Sequence, residues 1–239
     1  MSIKVQHLSK SYAKQAAVND ISFTAESGRI VGFLGPNGAG KSTTMKMLTG
    51  YLQPTAGSVA LCGLDVQAEP VAIKKLMGYL PEHTPLYTDM YVQEFLSFVA
   101  STYGLPDVAE KVKQTIQKVG LQAEQHKKIA MLSKGYKQRV GLAQAIIHDP
   151  KVLILDEPTS GLDPNQLTDI RALIKTLGKD KTVILSTHIM QEVEALCDDV
   201  IILHHGKIVA NQSLHSLKNE QGDFSLEQIF RKLTASTTN

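Results

Sequence analysis

The sequence predicts an α/β fold: a phosphate-binding core with a small antiparallel sheet near its N-terminus and a helical insertion over about residues 86–146. Three observations carry that prediction. A glycine-rich segment, Gly35-Pro36-Asn37-Gly38-Ala39-Gly40-Lys41-Ser42, lies between a strand-like run and a helix-like run. Two continuous apolar runs, Val152 to Leu155 and Thr182 to Leu185, have the character of strands covered on both faces of a parallel sheet. Between these groups, from about Val92 to Gly120, the apolar spacing becomes helical.

In chain order, Ile3 to Leu8, Ala17 to Ala25 and Ser58 to Cys62 read as short strands of the antiparallel sheet, with turns signalled by Glu26-Ser27-Gly28 and Pro54-Thr55-Ala56-Gly57. Arg29 to Leu34 is a compact apolar run that enters the glycine-rich loop. Ser42 to Leu48 then has helical character, with Gly50 as its stop. In the insertion Phe95, Leu96, Val99 and Tyr103 share one helical face, and Val108, Val112, Ile116 and Val119 share another. Asn165 to Leu177 reads as a crossover helix between the two apolar strands. Near the end, Ser225 with Gln228 forms a capping box, and Leu226, Ile229, Phe230 and Leu233 make one face of a closing helix expected to pack on its own domain. Ala235 to Asn239 is expected to be a disordered tail.

Composition excludes several classes. At 239 residues the chain suits one large domain or a domain with an insertion. A charged share of 20% beside a hydrophobic share of 43% is that of a folded globular protein. No window approaches the ~18 apolar residues of a membrane helix, and MSIKVQHLSK lacks the apolar core of a secretory signal. A net charge of +2 is too small to indicate a nucleic-acid surface, though it does not exclude one. Cys62 and Cys197 belong to no CxxC pair and suit buried thiols of a reducing cytosol.

The glycine-rich loop satisfies the pattern G-x-x-x-x-G-K-[ST] in its proper strand-loop-helix setting. Glycines let the backbone N–H groups and the helix N-terminus face a phosphate chain, Lys41 reaches the terminal phosphates, and Ser42 offers a hydroxyl to Mg²⁺. Asp156 and Glu157 follow a buried strand at its C-terminal edge, where open parallel sheets bind ligands. Asp156 suits the Mg²⁺ shell and Glu157 suits orientation or deprotonation of an attacking water. His188 arrives at the same edge after the second apolar run, in reach of a phosphate or that water. His204 and His205 read as a turn before Gly206.

Leu132-Ser133-Lys134-Gly135-Tyr136-Lys137-Gln138-Arg139, just before the acidic strand, resembles the signature segment of ABC ATPases. The rest of that family's set follows: Tyr12 at the adenine-stacking position, Glu82 where glutamine is usual, Ser160-Gly161-Leu162-Asp163 as the D-loop, and His188 as the switch histidine. The resemblance covers essentially the whole chain, 1–239, as a single ABC ATPase domain. Gly78-Tyr79-Leu80-Pro81-Glu82-His83 and the signature look most like ATP-binding subunits of gliding-motility and multidrug-type exporters.

The resemblance implies a transport-coupled ATPase that cleaves ATP to ADP and phosphate with Mg²⁺. The loop from Gly35 to Ser42 and the adjoining Thr43 would bind ATP with Tyr12. Glu157, His188 and Lys41 would be catalytic, and Ser42, Glu82 and Asp156 would hold the metal. Two copies would meet head to tail, so that Ser133 and Gly135 contact the γ-phosphate bound by the other copy. Integral membrane permease subunits would be the further partners, placing the chain on the cytoplasmic face of the plasma membrane. A soluble ABC ATPase of iron–sulfur assembly or nucleic-acid processing is the alternative, and a regulatory module with little turnover is a second.

Several residues have plainer readings. Ser133 is also an ordinary helix N-cap, and Tyr12 an ordinary strand aromatic. Glu82 keeps an oxygen for Mg²⁺ but loses the amide donor of glutamine. Lys134 and Tyr136 replace the family's glycine and glutamine, and Lys134 is expected to point into solvent rather than toward phosphates.

Overall fold

A computed structural model describes residues 2–13, 15–222 and 224–235. Strands β1 (Ile3–Tyr12) and β2 (Gln15–Ala25) pair antiparallel, with Ile3 opposite Ala25 and Val5 opposite Phe23. β1 runs past its expected end at Leu8 because register shifts after Val5 and Leu8 bend the strand while pairing continues to Tyr12 opposite Gln15. This delivers Tyr12 to the edge of the sheet.

After β2 come β3 (Ile30–Leu34), α1 (Lys41–Leu48), β4 (Ala56–Leu61), β5 (Leu64–Asp65), α2 (Pro70–Leu76) and β6 (Met77–Leu80). Helices α3 (Val92–Thr102), α4 (Val108–Val119) and α5 (Lys134–Ile146) precede β7 (Val152–Asp156), α6 (Pro164–Gly178) and β8 (Thr182–Thr187). The chain continues as α7 (Met190–Leu196), β9 (Asp199–His204), β10 (Lys207–Ser213), α8 (Leu214–Gln221) and α9 (Leu226–Ala235). Among the described residues β2, β1, β4 and β5 form one antiparallel sheet. β10, β9, β3, β8, β7 and β6 form the other, parallel except for the β9–β10 hairpin.

The large sheet is apolar on both faces, which is why its strands read as unbroken hydrophobic runs. Leu153 and Leu155 of β7 and Val183 and Leu185 of β8 point into one core with α3 to α7. Val152 and Ile154, with Ile184, Val31 and Phe33, point into a second core shared with the small sheet and α1. Each such fully buried side chain removes apolar surface worth about 1.5–3 kcal/mol from water. A helix would turn half of these runs away from both cores. The helical insertion closes on the first core through Phe95, Leu96, Val112 and Ile116, as the spacing predicts. α5 lies close over β6 because a Cβ at Gly78 would stand 2.0 Å from the Ala145 carbonyl oxygen. Only glycine admits that approach.

Several elements carried no periodic signal in the sequence. β6 is four residues long and contains Gly78, and β10 is half-exposed throughout most of its length. α2 had a usable cue, since Pro70 opens it at the first turn. His204 ends β9 rather than lying in the turn, which His205 (φ 46°) and Gly206 (φ 75°) form. Cys62 is half-buried, not buried, while Cys197 is buried. The capping box at α9 forms as expected, the Ser225 amide donating to Gln228 Oε1 at 2.8 Å and the Gln228 amide to Ser225 Oγ at 3.3 Å. Leu226 and Ile229 bury α9 against its own domain. Ala235 is the last residue of α9 and not part of a tail; residues 236–239 lie outside those described.

Candidate functional site

The large sheet brings three chain segments to one edge. β3 ends at Leu34, opposite Thr187 at the end of β8, and Asp156 at the end of β7 is opposite Ser186. The loop after β3, the acidic turn after β7 and the histidine after β8 therefore share one rim. They border a cavity of about 450 Å³.

Gly40 shapes the phosphate loop. Its φ of 105° lies where side chains are strained, and a Cβ there would stand 2.4 Å from the Ala17 carbonyl oxygen. Lys41 is buried and donates to the carbonyls of Gly35 at 2.7 Å and Pro36 at 3.2 Å, so the cation is drawn back into its own loop. Burial lowers its pKa, opposed by the charges of Glu157, Asp156 and Glu82. Pro36, Asn37, Gly38, Ser42 and Thr43 also border the cavity. Ala39 is buried beneath them, and Gly35 packs under the Leu203 carbonyl, leaving no room for a Cβ.

Asp156 is buried. Its Oδ1 accepts from Ser42 Oγ at 3.3 Å and from the Ser186 hydroxyl. Glu157 adopts φ 50°, an uncommon backbone for a non-glycine residue, and its amide donates to Ser186 at both the carbonyl oxygen, 3.1 Å, and Oγ, 3.2 Å. Those bonds hold a conformation that aims the carboxylate into the cavity instead of along the strand. Glu157 Oε1 lies 3.8 Å from Lys41 Nζ, and both its oxygens lie 3.0 Å from His188 Nδ1. A carboxylate only accepts, so Nδ1 carries the hydrogen and Nε2 is the free ring nitrogen. Burial raises the Glu157 pKa, and His188 and then Lys41 pull it back.

At the far end Tyr12 is 51% exposed, with Lys10 Nζ 5.6 Å from its ring centre. Exposed His205 also lines the cavity there, as do Gln15 and Ala16. No local sequence pattern marks these three, since Gln15 and Ala16 lie just before the expected strand start at Ala17 and His205 reads as a turn residue. Ser186 had a signal, a hydroxyl two residues before His188 at a strand end. Glu82 is exposed and lines the cavity from the segment after β6.

Ser133 and Gly135 do not reach this cavity among the described residues. Ser133 caps α5, its Oγ accepting from the Tyr136 amide at 3.4 Å. Gly135 is buried, and a Cβ on it would stand 2.2 Å from Gln166 Oε1. Lys134 is exposed, yet its ammonium lies over the D-loop, where a Cβ on Gly161 would meet it at 2.1 Å. Gln138 Nε2 donates to the Pro158 carbonyl at 2.9 Å, tying α5 to the acidic turn.

The donor set fits Mg²⁺. Ser42 Oγ and Asp156 Oδ1 are hard oxygen donors already in mutual contact, and Mg²⁺ takes one or two such protein oxygens and completes its shell with phosphates and water.

The ABC transporter family profile matches residues 18–160. The chain is 41% identical over 221 residues to the uncharacterized ABC transporter ATP-binding protein YxlF of Bacillus subtilis, covering 92% of this chain and 73% of that one. It superposes with a TM-score of 0.89 and 31% identity on a solved ATP-binding subunit of an ABC transporter, covering 98% of this chain and all of that one. A second structure, a dimeric post-hydrolysis ATP-binding cassette bound to ADP and Pi, shares the fold at a TM-score of 0.81 and 23% identity, covering 89% of this chain and 98% of that one. Among the described residues no helix is long and apolar enough to cross a membrane.

Proposed function

The chain belongs to the ABC transporter family, and from that premise we propose that it binds and hydrolyses ATP to power transport through separate membrane-spanning subunits, working as one of a pair of such domains. The observation that carries this reading is the convergence of Lys41, Glu157 and His188 on one cavity beside the phosphate loop.

ATP enters with its phosphates along the loop from Gly35 to Thr43 and its base on the exposed face of Tyr12. Lys41 exchanges its carbonyl partners for phosphate oxygens. Glu157 accepts a proton from a water as the water oxygen attacks the γ-phosphorus. The bond from that phosphorus to the bridging oxygen breaks, and ADP leaves with the bonding pair. His188 holds the Glu157 carboxylate through Nδ1 and faces the water or γ-phosphate through Nε2. Ser42, Asp156 and Glu82 would hold Mg²⁺, which when bound supplies neutralising charge to the phosphates.

Ser133 and Gly135 stand away from this chain's own cavity, which supports a site completed by the second copy's α5 N-terminus. The pair would lie at the cytoplasmic face of the plasma membrane against its permease subunits. The residues before and within α3 to α5 form the single domain's inserted part, about 86–146, and would face those subunits.

Phosphate release by the chain purified with its membrane partners tests the reading. Wild-type turnover well above that of Glu157→Gln is expected. Turnover equal to that variant's would overturn it.

A further inference from the structure

Glu192 of α7 is a charged side chain with 0% exposure, and the chemistry above does not use it. A carboxylate taken out of water is costly unless its oxygens are satisfied, so its partners explain its presence. Oε1 accepts from the Thr159 hydroxyl, and Oε2 accepts from Thr187 Oγ1 at 2.7 Å. Arg171 Nη2 of α6 stands 4.0 Å from Oε1, at the outer limit of an ion pair. Arg171 Nε is buried with no hydrogen-bond partner among the described residues. The two threonine hydroxyls are therefore the direct contacts, and the guanidinium supplies a compensating charge behind them.

These threonines flank the catalytic pair. Thr159 lies two residues after Glu157, in a turn closed by the Ser160 amide on the Glu157 carbonyl at 3.1 Å and the Leu162 amide on the Thr159 carbonyl at 3.3 Å. Thr187 immediately precedes His188, and its Oγ1 also accepts from the Ile189 amide at 3.1 Å. One carboxylate thus bridges the turn that carries Glu157 and the turn that carries His188. Ladder bonds between β7 and β8 end at Asp156 and Ser186. Beyond them, Glu192 and the bond from the Glu157 amide to Ser186 set how the two turns lie against each other.

We propose that Glu192 is a positioning residue for hydrolysis, fastening the acidic turn to the histidine turn and so holding His188 against Glu157. The proposal rests on the reading that Glu157 and His188 perform the chemistry. Its consequence is specific: loss of Glu192 acts through the Glu157–His188 contact and leaves intact the phosphate loop, whose helix α1 packs on the opposite face of the large sheet from α7. Glutamine at this position keeps the shape and one accepting oxygen, but presents an amide to the second hydroxyl, which must turn its hydrogen away.

The test is a double-mutant cycle in the chain purified with its membrane partners, with phosphate release and ATP affinity both measured. Glu192→Gln should lower kcat about 10–100-fold, as for residues that orient a direct ligand, with ATP affinity unchanged. In a His188→Ala background the same substitution should cost less than about twofold, because the contact it protects is already gone. Thr159→Val should lower kcat alike and Thr159→Ser should restore it, a pair that serves if Glu192→Gln fails to fold. Equal losses in both backgrounds, an unchanged kcat, or failure of Thr159→Ser to restore turnover would overturn the proposal while wild-type turnover leaves the ATPase reading standing. Absence of wild-type turnover would overturn both.

Discussion

His188 Nδ1 stands 3.0 Å from both oxygens of Glu157, so a ring just past the end of β8 and a carboxylate just past the end of β7 form one unit inside the cavity. A general base kept in place by a second residue loses its advantage when either is removed. Glu157→Gln and His188→Ala should each lower kcat by about 10²–10⁴-fold while ATP still binds. The double variant should be little worse than the worse single one, since the two act together. Single-turnover phosphate release with nucleotide-binding titrations checks this.

Ser133 and Gly135 lie off the cavity formed by their own chain. A chain carrying Lys41→Ala and a chain carrying Ser133→Arg should each be inactive when alone. Mixed in equal amounts they should regain about a quarter of wild-type turnover, because half of randomly formed two-fold pairs hold one intact site of two. No recovery on mixing would argue that the segment acts within its own chain.

Gly40 has two reasons to be glycine, its φ of 105° and the Ala17 carbonyl at 2.4 Å from a Cβ. Gly40→Ala should abolish ATP binding and destabilise the fold by roughly 1–3 kcal/mol. Gly38→Ala, with the same sign of φ but open space at its Cβ, should cost less. Urea unfolding of both variants separates clash from strain.

His148 stacks on Tyr103 with ring centres 4.0 Å apart, and its Nε2 donates to the Met77 carbonyl at 3.1 Å. Its Nδ1 is buried without a partner among the described residues. Burial lowers its pKa below 6.5, the Met77 bond opposes this, and nearby Lys181 adds to the lowering. The unfolded chain then takes up a proton that the folded chain refuses. Stability is full above the unfolded pKa and is lost as pH falls from about 6.5 toward the folded value. His148→Phe keeps the stack and should flatten the dependence of the urea midpoint between about pH 7 and 5.5, at some cost in midpoint from the bared Met77 carbonyl.

Much of this was legible in the sequence because it rests on local chemistry. The phosphate loop announces itself through glycines, a lysine and a hydroxyl at fixed spacing, and β7 and β8 through apolar runs that only a doubly covered sheet explains. The α9 capping box likewise needs only two residues three apart. Less legible were β6, too short and too glycine-containing to show a period, and His205, whose place beside Tyr12 depends on a hairpin from a distant part of the chain.

The sequence alone determined the fold class, the phosphate loop and the acidic strand end, since each follows from side-chain type and spacing within one segment. Only the tertiary structure decided that Glu157 takes a left-handed backbone and meets His188, that Lys41 turns back on its own loop, and that buried Glu192 joins the turns of β7 and β8. The contacts of Glu157 with His188 and of Glu192 with Thr159 span 31 and 33 positions, and parallel pairing of β7 with β8 brings them within a hydrogen bond; Lys41 turns back because its buried ammonium needs the nearby loop carbonyls.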